Sequence, residues 1–383
     1  MNKKKDHVYV WPTYTRIIHW LIASSFTLAF IFSLTENLLN LHVAVGIIFG
    51  LMLVYRIIWG FIGPQYAKFS TLKLSLKELK FYFVEKVKNR WREIPAGHNP
   101  ASSWFTLIVL GVGSVISITG LLLYGIQEGK GYLGFLNDHF YMYMDLLFNI
   151  HMIASYVLLV WAIIHVAGVL VEQYYHKTNM MFAMVTGYKK AKGKDSEAGK
   201  YKSGLTWIFL IISAMVFFVS VDGRNNPFVV SKYAQHNYKH ESFTYYSQCG
   251  SCHKLYPPFM LPSSSWQRIK GGLSNHFGEE ISPTMQKGEN RISLHDQTII
   301  FNYLKNHSAD TSTREISVKV MKSLNGARGR KSITKIQYWK DVHAGIPREV
   351  FKSKKVKRKA NCFACHQNFD KGMMEDIDIH INE

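Results

Sequence analysis

The chain has 383 residues, of which 48% are hydrophobic and 14% aromatic, and its formal net charge is +20. This combination suits neither a soluble enzyme nor, by itself, a nucleic-acid binder. Because the apolar residues are concentrated in the first 221 positions, the distribution of the charge is more informative than its sum.

Five apolar stretches are long enough, or nearly long enough, to cross a bilayer core, which takes about 20 helical residues. The first and last are the shortest and need flanking tryptophans or lysines to match the bilayer. A cleaved signal peptide is the alternative for the first, but no small-residue cleavage pattern follows it, so we expect it to be retained. The predicted spans are Ile17–Leu34, His42–Ile62, Trp104–Ile126, Leu146–Val171 and Leu205–Val221.

Lysine and arginine predict the orientation of these spans. Three lysines precede the first span, eight basic residues follow the second and seven follow the fourth. By contrast, the connection after the first span has no basic residue, and the connection after the third has only Lys130. Basic loops stay in the cytoplasm. We therefore expect a multi-pass protein of the bacterial inner membrane, with a cytoplasmic amino terminus and a periplasmic carboxyl-terminal domain.

Four histidines lie within or at the ends of the predicted spans, where ionisable groups are costly and usually functional. His151 and His165 are 14 residues apart, which places them about 21 Å apart on nearly the same helix face. His19 is level with His165, and His42 is level with His151. Two imidazoles at each of two depths are what two bis-histidine b haems require. The alternative is that each histidine is a polar residue packed between helices.

Two arginines are candidates to bind haem propionates. Arg56 lies 14 residues after His42, so it shares a helix face with that histidine and reaches the inner depth. Arg16 precedes His19 by one turn, and it could equally be an interfacial side chain that reaches towards lipid phosphate. Small residues at Gly46, Gly111 and Gly113 allow a flat macrocycle or a neighbouring helix to approach closely.

All four cysteines lie in two C-x-x-C-H motifs. A zinc site would need a much shorter gap between the two pairs, and two disulfides would not explain the repeated histidine. In such a motif both thiols can bond to haem vinyl groups, and the histidine supplies an axial ligand. We therefore predict two covalent c haems. The motifs are Cys249-Gly-Ser-Cys252-His253 and Cys362-Phe-Ala-Cys365-His366.

Each c haem needs a sixth ligand or an open position. His276 is the first choice for the Cys249 haem, with Met260 as the rival that would raise the reduction potential. His343, which lies 19 residues before Cys362, is the choice for the second haem. Further histidines that the sequence leaves available are His236, His240, His295, His307 and His380.

The region after the fifth span is basic, with 25 basic and 15 acidic residues between positions 222 and 383. A run from Lys352 to Lys359 ends three residues before the second haem motif. It is either a solvated face or a surface that steers an acidic redox partner. The polar segment 308–332, which contains Gly326 and Gly329, is predicted to be a connector between two haem-binding halves.

The first 200 residues resemble the bacterial cytochrome b561 and nickel–iron hydrogenase b-type cytochrome family. The resemblance implies a membrane haem b subunit that exchanges electrons with quinone, and it suggests His98 and Asn99 for the quinone site. The matching stretches are Arg16-Ile-Ile-His19-Trp20, His42-Val-Ala-Val-Gly46, Arg56-Ile-Ile-Trp59-Gly60, Gly97-His98-Asn99-Pro100, the His151/His165 pair and Met184-Val-Thr-Gly187.

From about Tyr245 to the end, the chain resembles the di-haem cytochrome c family. The matching stretches include the two haem motifs, Leu255-Tyr256-Pro257-Pro258, Asn275-His276-Phe277-Gly278 and Tyr338-Trp339-Lys340-Asp341-Val342-His343. The arrangement differs from the family's usual one, because the c module often stands alone, whereas here a fifth span fuses it to the b module.

We therefore expect a mainly α protein. Residues 1–200 form a four-helix transmembrane di-haem b bundle, 201–225 a fifth anchoring helix, and 226–383 a mostly helical, extracytoplasmic di-haem c domain. The expected function is electron transfer between the quinone pool and a periplasmic partner, as an electron carrier or a quinol:acceptor oxidoreductase component. Alternatives are a haem-based sensor with an open c-haem site, or a quinone-linked anchor subunit of a dehydrogenase or hydrogenase. No nucleic-acid partner is expected.

Overall fold

A computed structural model of the chain divides into two compact units. The first contains Met1–Tyr124 and Asp145–Val230, and the second contains Gly125–Met144 and Ser231–Glu383. The structure describes residues 7–35, 38–87, 95–176, 178–191, 193–196, 202–222, 231–281, 283, 291–325, 332–374 and 379–380.

The prediction of five helices long and apolar enough to span a bilayer is confirmed. They are α1, α2, α4, α6 and α8 of the following series. The helices up to residue 222 are α1 (Thr13–Phe32), α2 (Leu39–Ile62), α3 (Leu76–Val87), α4 (Pro100–Ile126), α5 (Asn137–Phe140), α6 (Met144–Leu170), α7 (Met180–Thr186) and α8 (Lys202–Asp222). A π-helical turn, Val171–Tyr175, continues α6.

Local sequence sets the ends of the spanning helices. Asn99 caps α4, because its side-chain oxygen accepts the backbone N–H of Ser102 at 2.7 Å, and Pro100 occupies the first helical position, where a missing N–H costs nothing. Helix α2 ends at Gly63, whose N–H donates to the carbonyl of Trp59. Pro64 then prevents the helix from continuing.

Aromatic and hydroxyl side chains join three of the spanning helices. Tyr55 and Trp59 of α2 stack with ring centroids 5.2 Å apart. The Tyr55 hydroxyl hydrogen-bonds Thr206 of α8 at 2.8 Å, and the Trp59 indole donates to Thr15 of α1 at 3.0 Å. Buried polar groups that are paired in this way fix one helix arrangement. The fifth span therefore packs against the bundle itself.

Helix α6 is packed more loosely than its neighbours. Of its side chains only Met144 and Leu158 are fully buried, and most of the others are exposed in the protein alone. Lipid covers part of such a surface in a membrane protein, and a large cofactor can cover another part.

One end of the bundle is closed by the connections between helices. Strand β1 (Val8–Tyr9) pairs antiparallel with β2 (Tyr188–Lys189), and the Lys189 ammonium donates to the carbonyl of Pro95 at 2.7 Å. The amino terminus, the segment before α4 and the segment after α7 therefore meet at the same end.

A buried polar network holds α3 at this end. The Tyr82 hydroxyl donates to Glu172 at 3.0 Å and accepts the Asn99 amide N–H at 3.0 Å. Lys86 forms an ion pair with Glu172 at 2.8 Å. Burial, together with the Glu172 carboxylate, raises the pKa of Tyr82. The tyrosine therefore stays neutral and continues to donate its hydroxyl proton.

Replacing Tyr82 by phenylalanine should lower stability by about 1–3 kcal/mol, because it leaves a buried Asn99 N–H and a Glu172 lone pair without this partner. Thermal unfolding of the detergent-solubilised protein, followed by circular dichroism, measures the change. Tyr174→Phe is the matched control, since Tyr174 is 69% exposed and should unfold like the wild type. Equal unfolding of the two variants would show that the network contributes nothing.

In the second unit, Asn137 joins the segment between α4 and α6 to the region after residue 230. Its buried amide donates to the carbonyls of Ile126 and Thr313, at 2.5 and 3.1 Å. Its side-chain oxygen accepts from Lys232 and Tyr233, each at 2.9 Å. A fully paired buried amide fixes the chains around it. Residues 125–144 and the region from 231 onwards are therefore parts of one folded unit.

The rest of the second unit consists of short helices around one apolar core. The prediction that this region is mostly helical is confirmed. The helices are α9 (Tyr238–Glu241), α10 (Phe243–Cys249), α11 (Ser263–Lys270), α12 (Leu294–Asn306), α13 (Glu315–Leu324), α14 (Gln337–Val342) and α15 (Arg348–Lys352). Buried members of the core include Tyr245, Phe259, Trp266, Ile300, Val320, Ile336, Trp339 and Phe369.

The expected connector at 308–332 contains a helix, and this part of the prediction was wrong. Helix α13 buries Val318, Val320 and Leu324 in or near the core. Its apolar residues recur at helical spacing, which the polar composition of the segment obscured. Gly326 and Gly329 lie outside the described residues.

Candidate haem sites

The structure brings His42 of α2 and His151 of α6 together, with ring centroids 6.1 Å apart. The Nδ1 of His42 lies 2.8 Å from the carbonyl of Ala29, and the Nδ1 of His151 lies 3.0 Å from the carbonyl of Ile116. A carbonyl accepts a hydrogen bond, so each Nδ1 carries the proton and each Nε2 is left as a lone-pair donor. This is how proteins orient metal-binding imidazoles.

Two neighbours of His151 on α4 were not singled out from the sequence. The Thr119 hydroxyl lies 3.1 Å from the Nδ1 of His151, and a Cβ at Gly120 would come within 3.1 Å of the His151 ring. Glycine at position 120 therefore lets the imidazole lie close to the α4 backbone. Neither residue is recognisable without the pairing of α4 and α6.

At the other predicted depth, His19 of α1 and His165 of α6 are near enough to interact electrostatically. The His165 ring stacks on Phe105 with centroids 4.1 Å apart. The Nδ1 of His19 is buried without a hydrogen-bond partner among the described residues. An unsatisfied buried imidazole is costly unless a further group completes its environment.

The two candidate arginines lie at the same end of the bundle as His19. Arg16 donates to the carbonyl of Val185 and to the hydroxyl of Thr13. One guanidinium nitrogen of Arg56 is buried without a hydrogen-bond partner in the part of the chain that the structure describes, and its charge lies over the Phe69 ring at 5.4 Å. A buried unpaired guanidinium fits an anionic group such as a haem propionate. Arg16 is already partly satisfied by protein.

The glycines in the spans differ in their surroundings. A Cβ at Gly113 would collide with Leu53 and Phe49, so this glycine serves helix packing. A Cβ at Gly46 or Gly111 would meet nothing within 4 Å. Gly46 and Gly111 therefore leave space that a macrocycle or lipid can fill.

In the second unit, His253 of the first C-x-x-C-H motif faces His276. Their ring centroids are 6.2 Å apart and their planes differ by 15°. The Nδ1 of His253 is 2.8 Å from the carbonyl of Lys254, which leaves its Nε2 as the lone-pair donor. Cys249 ends helix α10, and Cys252 is exposed beside it.

The second motif also lies opposite a histidine, but here the two ring planes differ by 57°. His366 faces His343 with ring centroids 6.3 Å apart, and the Nδ1 of His343 is 2.8 Å from the carbonyl of Trp339. Trp339 also stacks on the His343 ring at 4.3 Å. Burial and then the nearby His343 lower the pKa of His366 to about 4. The imidazole is therefore neutral at neutral pH, which is the form that binds metals.

One tyrosine lies between the two motifs. The Tyr256 hydroxyl donates to the carbonyl of Ala360 at 2.7 Å, next to the second motif. Its ring lies 5.8 Å from His253 and 5.6 Å from Phe369, and Phe369 lies 6.4 Å from His366. Tyr256 thus fixes the spacing of the two motifs.

Other candidate ligands lie elsewhere. Met260 is almost fully buried in the apolar core of the second unit. His236 is paired with Glu241 at 2.9 Å, and His307 lies against Tyr303 with its Nδ1 2.9 Å from that residue's carbonyl. His240 and His295 are exposed, and His380 donates its backbone N–H to the carbonyl of Cys365.

Three pairs of imidazoles share one spacing, with centroids 6.1, 6.2 and 6.3 Å apart. A metal–imidazole bond is about 2.0–2.1 Å long, so two rings that bind one metal ion from opposite sides have centroids about 6 Å apart. Ordinary contacts between two rings cover about 4.5–7 Å, so what favours a metal is that the same spacing recurs at both C-x-x-C-H histidines. The geometry therefore fits an iron between each pair.

The turn that carries His276 has a strained residue. His276 and Glu279 exchange backbone hydrogen bonds, and the two residues between them, Phe277 and Gly278, have φ values of +54° and +104°. Two positive φ values define a type I′ hairpin turn, which prefers Asn-Gly. Phenylalanine in this conformation is unfavourable, and its ring is 66% exposed.

Phe277→Asn should therefore stabilise the protein by about 1 kcal/mol without changing the haem spectra. Chemical denaturation of the detergent-solubilised protein, followed by circular dichroism, measures this change. The control is Phe243→Asn, at an exposed helical position where asparagine has no such advantage. A loss of stability in the Phe277 variant would show that the exposed ring has contacts that compensate for the strain.

Two family models match the chain, one over the region that contains the membrane histidines and the other over the region that contains the two C-x-x-C-H motifs. Residues 10–187 match the family model of the prokaryotic cytochrome b561, and residues 245–374 match that of the dihaem cytochrome c. The "Probable Ni/Fe-hydrogenase B-type cytochrome subunit" of Rhodobacter capsulatus is 24% identical, over 50% of this chain and 84% of the relative. A diheme cytochrome type c from Shewanella baltica OS155, known by X-ray structure, is 26% identical and covers 37% of this chain and 93% of its own, with a TM-score of 0.28.

Five apolar helices with paired histidines, followed by two C-x-x-C-H motifs, define a membrane-bound electron-transfer cytochrome. The chain is similar to the prokaryotic cytochrome b561 over residues 10–187 and to the dihaem cytochrome c over residues 245–374. These families imply haem b in the first region and haem c in the second.

Proposed function

We propose that this protein carries electrons between the membrane quinone pool and a soluble periplasmic redox partner, through two b haems and two c haems. The observation that carries the proposal is the common spacing of three imidazole pairs, 6.1–6.3 Å. One of these pairs is in the membrane unit and two are in the second unit.

These three pairs supply three of the four proposed ligand sets, and the fourth, His19 with His165, is proposed from their matched depth in the bundle. His42 and His151 hold one b haem, and His19 and His165 hold the other, with Arg56 and Arg16 near the propionates of the second. Cys249 and Cys252 attach one c haem between His253 and His276. Cys362 and Cys365 attach the other between His366 and His343. Haem iron supplies reversible one-electron chemistry, and the protein sets its spacing, ligands and surroundings.

Two features of the fold support the proposed topology. The basic segments before α1, before α4 and after α7 meet at one end of the bundle through β1, β2 and Lys189. Residues 125–144, which connect α4 to α6, belong to the same folded unit as the region from 231 onwards. The basic end fits the cytoplasm, and the second unit then lies in the periplasm, where c haem is attached in bacteria.

For quinone, the proposed site is at the end of the bundle where His98 lies beside Arg56. The Nδ1 of His98 is buried and has no hydrogen-bond partner within the described ranges, and its ring meets Trp11 edge-on at 5.0 Å. Burial and then the Arg56 and Lys189 cations lower the pKa of His98 to about 3. A neutral imidazole with an unpaired nitrogen can hydrogen-bond a quinone or quinol oxygen.

The reaction balances as follows. Oxidation of one quinol to quinone would release two protons to water and two electrons. The haems held by the proposed ligands would accept these electrons one at a time, and two one-electron partners would take them up. Each motif histidine is faced by one further imidazole, which argues against an open c-haem site, so a ligand sensor is not favoured by the geometry.

Haem extraction and quinol-driven reduction test the proposal. Acid–acetone treatment of the purified protein should release two haems per chain and leave two attached. Addition of a short-chain quinol to the oxidised, detergent-solubilised protein should then reduce both classes of haem. A different haem count would overturn the cofactor assignment. Correct haems that quinol cannot reduce would overturn the role in quinol oxidation.

A further inference from the structure

The surface around the second c-haem motif is strongly basic. Between Lys340 and Lys359 there are eight basic and two acidic residues, a net charge of +6. All eight basic side chains are exposed, and we call them the basic collar. They are Lys340, Arg348, Lys352, Lys354, Lys355, Lys357, Arg358 and Lys359.

The collar is held in a fixed shape. Val356 is buried at its centre, and the N–H of Lys357 donates to the carbonyl of Ser353 at 2.8 Å. The Asn361 amide donates to the carbonyl of Val356 at 3.0 Å. Because the backbone is pinned on both sides of Val356, the lysines project from an ordered turn. A solvated linker would not need these contacts.

The collar is continuous with the proposed sixth ligand of the second c haem. The Lys359 ammonium lies 5.7 Å from the centre of the Trp339 ring and 5.6 Å from that of Phe351. Trp339 stacks on His343, which faces His366. A partner bound to the collar would therefore lie one side chain away from the axial imidazole.

A small apolar area lies beside the same histidine. Val342, Ala344 and Gly345 are all exposed, and a Cβ at Gly345 would meet nothing within 4 Å. An apolar centre with a charged rim is the usual construction of a protein interface. Complexes for electron transfer are small and transient, and small side chains allow the two redox centres to approach closely.

The segment that contains the first c-haem motif is much less basic. Residues 249–280, which include its cysteines and both of its histidines, contain three basic and two acidic residues, a net charge of +1. Glu279 and Glu280, next to the turn that carries His276, are exposed. An acidic partner is therefore attracted most strongly to the segment that precedes the second motif.

We propose that an acidic soluble redox protein docks on the basic collar and takes its electron from the c haem of Cys362 and Cys365. One electron leaves the ferrous iron and reduces one one-electron centre of the partner. The proposal rests on the proposed function, because it names the haem and the surface through which the chain exchanges electrons outside the membrane.

The test uses the full-length protein in detergent, chemically reduced, with oxidised plastocyanin as an acidic one-electron probe. Stopped-flow mixing measures the second-order rate of haem oxidation at low and high salt. Lys354→Glu with Lys355→Glu should slow this reaction by about tenfold or more at low salt and weaken its salt dependence. The same variant should react faster than wild type with a basic cytochrome c probe.

The matched control is Lys239→Glu with Lys305→Glu, which changes the charge equally at exposed lysines in the other half of the domain. Its rate with plastocyanin should remain near that of wild type. Gly345→Trp adds bulk at the apolar area without charge and should also slow the reaction. Haem spectra and haem content confirm that each variant is folded.

Equal slowing by the two charge-reversal pairs would overturn the proposal, because net charge rather than the collar would then control the rate. An unchanged rate in the Lys354/Lys355 variant would overturn it as well, and so would an unchanged rate in the Gly345 variant. Since the protein is reduced chemically, these outcomes do not depend on quinol. Failure of the docking proposal is therefore distinguishable from failure of the proposed function.

Discussion

Replacing His151 by alanine should remove one b haem from the protein and leave the other haems in place. His151 faces His42 at 6.1 Å, and its Nδ1 hydrogen bond to the carbonyl of Ile116 leaves Nε2 available to bind a metal. A non-covalent haem that loses one of its two axial ligands loses much of its binding free energy. Extractable haem should therefore fall from two per chain to one, while covalent haem stays at two.

His42→Ala should give the same result, because it removes the opposite ligand of the same haem. His139→Ala is the control, since it also removes one histidine, at an exposed position outside the spanning helices. The pyridine haemochrome spectrum before and after extraction counts both haem classes. Unchanged extractable haem in both the His42 and the His151 variants would exclude this pair as a haem site.

The spans could be predicted because burial in lipid imposes a simple rule on composition. A stretch of about 20 apolar residues has few alternatives to a spanning helix. The predicted ends were less accurate. Helix α1 begins at Thr13, four residues before the predicted Ile17, because Arg16 and Trp20 bond to carbonyls of Val185 and Met184. Those partners are more than 160 residues away in the sequence, so a hydropathy profile of the first span gives no information about them.

The histidine pairs were predictable in part for a different reason. In the membrane, the helical rise converts sequence position into depth, so His42 and His151 could be matched before the fold was known. For the c haems, sequence position does not predict which residues lie close to the iron, because the ligands are in short helices and turns. Met260 was a plausible ligand by distance along the chain, but its neighbours Pro258 and Phe259 place it in a short buried helix within the core.

Contacts between distant segments could not be predicted from the sequence. Gly120 is one glycine among 27, and only the pairing of α4 with α6 shows that it lies against His151. Likewise, Asn137 begins α5, a four-residue helix in the connection between α4 and α6. Its four hydrogen-bond partners come from positions 126, 232, 233 and 313. A single sequence carries no sign of such a convergence.

His343→Met should raise the reduction potential of the second c haem and change its spectrum. A thioether stabilises ferrous iron relative to imidazole. The expected rise is roughly 0.1–0.2 V, within the ~0.8 V range that axial ligands cover. A weak far-red sulfur–iron band should appear in the oxidised variant. The oxidised wild type should lack this band, because all four of its haems are expected to be bis-histidine. Redox titration with optical detection measures both changes.

If the methionine sulfur cannot reach the iron, the site becomes five-coordinate and high-spin and should bind carbon monoxide. Either result identifies His343 as the ligand, because neither arises while the imidazole remains bound. His295→Met is the control, at an exposed position on α12, and it should change neither the potential nor the spectrum. An unaltered spectrum and potential in His343→Met would contradict the assignment. The His343 ring would then serve only to pack against Trp339, and another group would complete the coordination of the second c haem.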